Sequence, residues 1–307
     1  MLKTELPAPK MDVVFQSLFK KGNEKITMAL ISDIIGKKIL KIDLDKNKHL
    51  LREYTKDKLG ILDLIATLDD GIICHIEIQL ADNKDIEKRL LYYHSKTYSQ
   101  QMLIGDKYID LNKTISIAIL DYELEQLKSI EEAHTTWHIR EDKINELILT
   151  DELEIHIIEI PKVKRMKKSG VTNSVIDWMM FLDNPNNGEV SEIMKTNKEI
   201  EEAMKKLEEI TSDEELMRII DLRRKAILDE NQRRYVAEQK LKEAEENALN
   251  ALKEGEEKGL KEGLKKGKIE EKIEIANKLI SLNYPLKDII QITGLNKEKV
   301  ELLLQKK

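Results

Sequence analysis

An acidic turn between two apolar runs constrains the fold more than any other stretch of this chain. Residues 60–80 read GILDLIATLDDGIICHIEIQL, with Asp69-Asp70-Gly71 between the two runs. Apolar runs joined by a glycine-containing turn predict a β-hairpin. Because side chains alternate along a strand, the face that includes Cys74 is apolar, whereas His75, Glu77 and Gln79 share the other face. We expect the apolar face to lie on the core and the polar face to border a cleft or solvent.

The register of this hairpin decides whether Asp63 meets Glu77. A three-residue loop pairs Leu68 with Ile72 and sets Asp63 directly opposite Glu77, with Cβ atoms about 5 Å apart. A two-residue loop sends the two carboxylates to opposite faces of the sheet. Glycine favours the left-handed conformation that ends a three-residue loop, and Gly71 is third, so the sequence predicts the first register.

Two adjacent carboxylates repel each other unless a cation neutralises them. Mg²⁺ prefers oxygen ligands and takes one or two carboxylates together with waters and substrate phosphate, so Asp63 and Glu77 are candidate metal ligands. The alternative is an exposed hairpin face that carries two acidic residues by chance. Spacing alone leaves both interpretations open.

The same residues carry a resemblance to a known family. Asp63 followed by Glu77-Ile78-Gln79 resembles the PD-(D/E)-x-K nuclease signature, with Gln79 where the signature usually has lysine. The flanking sequence resembles the Rpn-type recombination-promoting nucleases, also described as PD-(D/E)-x-K family transposases. The further matching positions are Asp12 to Phe15 with Phe19, Asp57-Lys58, Arg89 with Tyr92-Tyr93, and Gly105 with Tyr108.

The resemblance implies a Mg²⁺-dependent DNA endonuclease, with Mn²⁺ as an alternative metal, linked to recombination, transposition or genome defence. It implies catalytic roles for Asp63, Glu77 and Gln79, and an acid from the first helix, for which Asp12 matches. Helix N-terminal charge compensation is the other explanation for Asp12. Two alternatives to catalysis remain: a nuclease-fold DNA-binding or assembly protein with weak or no cleavage, and a helical scaffold whose α/β half is inert.

Candidate DNA contacts come from two places. Arg89, on a helix predicted to begin at Asp85, could reach a phosphate or hold a site carboxylate by a forked hydrogen bond; otherwise it is a surface arginine. The densest basic run could neutralise phosphates, or it could be a solvated loop or the start of a helix. That run comprises Lys162, Lys164, Arg165, Lys167 and Lys168.

The order of predicted elements gives an α/β fold. Strands at residues 39–44, in the hairpin and at residues 113–120, with the helix after Asp85, predict a mixed sheet flanked by helices. Further strands are predicted at residues 135–141 and 153–160. The resemblance implies that this α+β core is restriction-endonuclease-like. We expect three parts: a nuclease-like domain over 1–188, a charged helical segment with a Gly-punctuated linker over 189–268, and a small helix-turn-helix-like domain over 269–307.

Composition narrows the function classes. The 307-residue chain has a net charge of −6 and is 36% charged, so any DNA contact must come from local basic patches rather than from bulk charge. A single cysteine, Cys74, excludes a disulfide framework and a cysteine-based zinc site. No stretch is long and apolar enough to span a membrane, and the N-terminus has no apolar leader. We expect a cytoplasmic protein without a membrane partner.

The C-terminal tail is predicted to be helical. Gly255, Gly259, Gly263 and Gly267 recur every fourth residue within a Lys/Glu-rich segment. Each glycine weakens a helix by about 1 kcal/mol relative to alanine, so either helices approach closely along this stripe or the segment is a linker. We expect self-association, as a dimer, through the tail. The last helices either read DNA or only assemble.

Overall fold

The computed structural model of the chain describes residues 5–44 and 64–305, so Asp63 and Asp57-Lys58 lie outside the described residues. A five-stranded mixed sheet flanked by helices forms the centre of the first of two compact units. The boundary between the units falls between Lys225 and Ala226. The fold is thus the mixed α/β arrangement that the sequence predicts.

The two parallel strand pairs lie in the middle of the sheet. Its strand order is β1-β2-β3-β5-β4; β2, β3 and β5 are parallel, and the edge strands β1 and β4 run antiparallel to their neighbours. The strands are β1 (Leu64–Thr67), β2 (Ile73–Gln79), β3 (Thr114–Leu120), β4 (His134–Trp137) and β5 (Leu153–Glu159).

The hairpin has the register that the sequence predicts for its described part. Leu64 pairs with Ile76, and the Leu68 amide donates to the Ile72 carbonyl at 2.7 Å, closing a three-residue loop. Gly71 has φ of +80°, in the left-handed region. The predicted strand at residues 39–44 is wrong: only Asp43 makes a bridge, with Thr67.

Helices flank the sheet, and several begin or end at recognisable caps. Gly36 closes one helix with φ of +67°, and Asn173, Asn187 and Asn197 each accept a backbone amide at a helix start. The helices are α1 (Asp12–Leu18), α2 (Glu24–Ile35), α3 (Ile86–Ser99), α4 (Ile160–Lys168), α5 (Ser174–Asp183), α6 (Gly188–Thr196), α7 (Lys198–Thr211), α8 (Glu214–Ser281), α9 (Leu286–Thr293) and α10 (Lys297–Gln305).

An aromatic core joins the first helices to α5. The Phe15 and Phe19 rings lie 4.5 Å apart, and Trp178 packs between Phe19 and Phe181. Trp178 is fully buried, and its indole donates to Asp33 at 2.8 Å. This helical layer explains why the Trp178 segment is buried.

Helices beyond residue 188 also belong to the first unit. The apolar face of α7, which includes Ile200 and Leu207, is buried, and α7 packs on α1 and α2. In the second unit, the segment that contains Gly255 to Gly267 is continuously helical as part of α8. A small apolar cluster in that unit joins the end of α8 to α9 and α10 through Ala276, Ile289 and Val300.

Candidate functional site

Glu77 lies at the centre of the candidate site, near the C-terminal end of β2. Its side chain is 1% exposed, and one carboxylate oxygen, Oε1, accepts from Gln79 Nε2 at 2.8 Å and from the Arg89 guanidinium. The other oxygen, Oε2, is buried and has no hydrogen-bond partner among the described residues. A buried, unpartnered carboxylate oxygen is costly unless a ligand satisfies it.

The position of α3 explains the contact between Arg89 and Glu77. The helix begins just after β2 and packs on the sheet face that carries His75, Glu77 and Gln79. That face is therefore covered by helix at Glu77, which corrects the expectation that it borders a cleft or solvent at this residue. Gln79, at the strand end, remains partly exposed.

Burial raises the pKa of Glu77, and the nearby Asp85 carboxylate adds to the rise. The Arg89 guanidinium and the Gln79 amide oppose it. A buried carboxylate with a raised pKa and one unpartnered oxygen makes Glu77 a candidate functional residue, although it also forms an ion pair with Arg89.

A tyrosine and a loop of acidic residues surround Glu77. Burial raises the pKa of the Tyr122 phenol, and the negative charges of Asp82, Asp85, Glu77 and Glu87 raise it further. Tyr122 also packs against the apolar cluster between α3 and β3. Four carboxylates thus lie close enough to raise the pKa of Tyr122, and the Arg89 guanidinium offsets part of their negative charge. Neither Tyr122 nor Asp85 was predicted as a site residue, because neither belongs to the strand pattern.

A buried polar network lies two residues from Glu77 on the same sheet face. The Ser116 hydroxyl lies 2.6 Å from His75 Nε2 and 2.7 Å from His94 Nδ1, which ties β2, β3 and α3 together. Burial lowers the pKa of His75 to about 3, aided by His94, and lowers that of His94 to about 4. Both rings are therefore neutral at pH 7. Polar residues inside apolar strands were the sequence signal for this network.

Of the other two predicted catalytic acids, the structure describes only Asp12. Asp63 lies outside the described residues. Asp12, at the start of α1, pairs with Arg223 of α8 through two contacts of 2.6 and 3.0 Å. This fork supports charge compensation for Asp12 more than a role beside Glu77.

Lys162, which the sequence predicts as a DNA contact, lies inside the protein. Its side chain is fully buried, and the ammonium lies 2.6 Å from Glu159 Oε2 and donates to the Leu127 carbonyl at 2.7 Å. Glu159 also accepts the Leu124 amide. The pair joins the end of β5 to the loop after β3.

Most of the remaining basic run is neutralised by carboxylates of the same unit. Lys164 pairs with Asp183, Lys167 with Asp177, and Arg165 makes a two-pronged contact with Glu123. Lys168 is exposed. The side chains on α4 that the sequence predicts as DNA contacts therefore already have ion-pair partners. Lys168 is the exception among the described residues.

A second group of potential metal ligands lies on the opposite sheet face. His138, Asp151 and Glu154 offer ligand atoms within 4.8 Å of one another. The Lys113 ammonium already contacts both carboxylates, at 3.0 and 2.7 Å. His156 hydrogen-bonds Glu154 and is the main cause of its low pKa of about 2, with Lys113 adding to the effect. An internal cation therefore balances this cluster, and we assign no metal to it.

Comparison with known proteins gives one match. A family model described as PD-(D/E)XK nuclease family transposase matches residues 9–237, about three quarters of the chain. No curated protein and no solved structure is similar enough to count as a match. Among the described residues, no helix has both the length and the apolar character needed to cross a bilayer.

Proposed function

Because the chain belongs to the PD-(D/E)XK nuclease family transposases, a nuclease-type family, we propose that it is a metal-dependent DNA endonuclease that hydrolyses phosphodiester bonds in recombination, transposition or genome defence. One observation carries the proposal: Glu77 is buried, and its Oε2 has no partner among the described residues. The oxygen ligand set and the negative surroundings fit Mg²⁺ or Mn²⁺.

Glu77 and Asp63 would hold the metal. When bound, a divalent cation polarises a phosphoryl oxygen and lowers the pKa of a bound water. The assignment of Asp63 as a metal ligand depends on the register of the hairpin. The pairing of Leu64 with Ile76 belongs to the register in which Asp63 is expected opposite Glu77. Asp12, forked to Arg223, is the weaker candidate for a third acid.

Arg89 positions Glu77 through its guanidinium. The side chain is 16% exposed, and the guanidinium carbon lies 6.0 Å from the centre of the Tyr93 ring, so packing and charge fix it together. Arginine can bind a carboxylate and a phosphate with the same planar fork. We propose that Arg89 holds Glu77 before DNA binds and contacts the scissile phosphate afterwards.

Gln79 orients either the attacking water or the scissile phosphate. Its amide donates to Glu77 Oε1, which leaves the amide oxygen as an acceptor. A lysine at this position would stabilise developing negative charge, whereas a neutral amide can only hydrogen-bond. We therefore expect slow cleavage, with the order of events unchanged.

Plasmid cleavage tests the proposal directly. Supercoiled and linear DNA would be incubated with the full chain in Mg²⁺, in Mn²⁺ and in chelator. Glu77→Gln should abolish nicking, while Glu132→Gln, at an exposed carboxylate, should leave it unchanged. Cleavage by Glu77→Gln at the wild-type rate, or by the wild type in chelator, rejects the proposal.

The second candidate is a DNA-binding or assembly protein with weak or no cleavage. The neutral Gln79 and the ion pair between Arg89 and Glu77 favour it. Metal-dependent DNA binding without nicking would support it over the endonuclease.

We also propose that copies of the chain associate through α8. Several leucines along this helix are more than half exposed, and a Cβ added at any of the four regularly spaced glycines would meet nothing within 4 Å, so the surface is open to a partner helix. The leucines are Leu241, Leu249, Leu252, Leu260 and Leu264. Leu249→Ser with Leu252→Ser should lower the mass measured by sedimentation equilibrium; an unchanged mass removes α8 from the interface.

A further inference from the structure

The basic run on α4 does not supply the cationic surface that a DNA-binding protein needs. Of its five side chains, Lys162 is buried and three others are ion-paired within the same unit. With a net charge of −6, the chain must hold DNA through a local patch. The patch would have to lie beside Glu77 for a strand to reach the site.

Helix α3 presents such a patch on its outer face. Lys88, Tyr92 and Ser95 recur at spacings of four and three residues, which places them on one stripe of the helix. All three are exposed. Their side chains are lysine, phenol and hydroxyl donors, the types that contact phosphate oxygens in DNA complexes.

The charge of α3 has the required sign. Between Ile86 and Ser99 the helix has one carboxylate, Glu87, against three cations, Lys88, Arg89 and Lys96. Arg89 is already ion-paired with Glu77. Among the described residues Lys88 makes no ion pair, so its ammonium is available to a phosphate.

The aromatic ring on the stripe is held in place before any ligand binds. Tyr92 is 47% exposed and packs edge-on against Tyr93, with ring centres 5.4 Å apart. The Lys96 ammonium lies 5.9 Å from the Tyr92 ring centre. A fixed side chain loses little conformational entropy on binding, so the phenol is well placed to donate to a phosphate.

The stripe starts beside the candidate site. Lys88 and Arg89 are consecutive, and neighbours on a helix point about 100° apart, so Arg89 reaches inward to Glu77 while Lys88 faces outward. From Lys88 to Ser95 the helix rises about 10 Å, which matches the rise of about three base pairs along the axis of a duplex. A strand lying on this stripe would therefore leave the site directly along α3.

We propose that the outer face of α3, formed by Lys88, Tyr92 and Ser95, binds the phosphate backbone of DNA next to Glu77. The inference rests on the proposed function, because it assigns the substrate contact of that site. It predicts an electrostatic contact that does not depend on DNA sequence, and no role for Lys88, Tyr92 or Ser95 in the chemical step.

DNA binding without cleavage tests this surface. The affinity of the full chain for a fluorescein-labelled duplex would be measured by anisotropy in Ca²⁺ from 50 to 200 mM KCl. Lys88→Ala should reduce the slope of log K against log salt by about 0.9, and Lys88→Arg should retain the wild-type slope. Tyr92→Phe should weaken binding several-fold with little change in slope. Lys198→Ala, at an exposed lysine on α7, is the matched control.

The outcomes separate this inference from the proposed function. A wild-type slope in Lys88→Ala overturns the inference, and so does an equal loss of slope in Lys198→Ala. If plasmid nicking survives in that case, the endonuclease proposal stands and only the assignment of α3 fails. If the slope changes as expected while Glu77→Gln still cleaves, the DNA surface is supported and the assignment of catalysis to Glu77 fails. Circular dichroism of each variant checks that the fold is retained.

Discussion

Replacement of Lys162 by methionine should destabilise the first unit far more than loss of a surface lysine. The ammonium and the Glu159 carboxylate are 0% and 1% exposed and lie 2.6 Å apart. Removing one partner leaves a buried charge without compensation, which costs about 3–5 kcal/mol. Most domains unfold with only about 5–15 kcal/mol, so the variant would lose a large fraction of its stability.

Urea unfolding followed by tryptophan fluorescence measures this loss, because Trp137 and the fully buried Trp178, the two tryptophans of the chain, both lie in the first unit. Lys205→Met is the matched control, since Lys205 pairs with Glu201 on α7 but both are exposed, and such pairs contribute about 0–1 kcal/mol. Adding Glu159→Gln to Lys162→Met should recover part of the loss, because the amide can still accept the Leu124 amide hydrogen without burying a charge.

A loss in free energy of unfolding below about 1 kcal/mol for Lys162→Met would refute this prediction, because the pair of Lys162 with Glu159 would then contribute no more than an exposed ion pair. Additive costs of the two substitutions would also refute it, because contacting residues are expected to couple by about 0.5–3 kcal/mol.

Three further predictions concern pH, the hairpin turn and α8. His94 has a folded pKa of about 4, below the unfolded value of about 6.5, so it is uncharged when folded and binds a proton when unfolded. The free energy of unfolding, measured by urea titration, should fall as pH drops from 6.5 to 4.5. His94→Gln should reduce the slope of this free energy against pH by up to about 1.4 kcal/mol per pH unit. An identical slope in the variant would argue against a neutral buried ring. Gly71→Ala should lower the free energy of unfolding by about 1–3 kcal/mol, because φ is +80° and the new Cβ would lie 2.7 Å from Asn112 Oδ1. Adding Asn112→Ala should restore only the part of the loss that is due to the clash. A full recovery would mean that the backbone is unstrained. Gly259→Ala, in open space, should raise the thermal stability of the helix by about 1 kcal/mol by circular dichroism; a loss of stability would show that the glycine is needed within α8.

The hairpin was predictable because several independent signals agree there. Apolar alternation fixes the faces, and a third-position glycine fixes the loop, so the pairing of Leu64 with Ile76 follows from local chemistry. The contact of Gln79 with Glu77 follows from their spacing of two. The nuclease-type family was recognisable from these residues and their neighbours.

Long-range partners were not predictable from spacing. The lysines of the basic run on α4 look alike in sequence. In the structure, Lys162 is buried against Glu159, whereas Lys168 is exposed. Asp12 finds Arg223 across more than two hundred residues of chain. The packing of the apolar face of α7 on the first two helices also depends on contacts between residues far apart in the chain.

The parallel pairing of β2 with β3 has a consequence for synthesis of the protein. Parallel neighbours need a crossover connection, here through α3, so β2 gains its second neighbour only after residue 120 has emerged from the ribosome. Until then Glu77 would be flanked on one side only, and β5 follows later still. A nascent chain is therefore unable to complete the sheet around the site that we propose until β5, which ends at Glu159, has been synthesised, about halfway along the 307-residue chain.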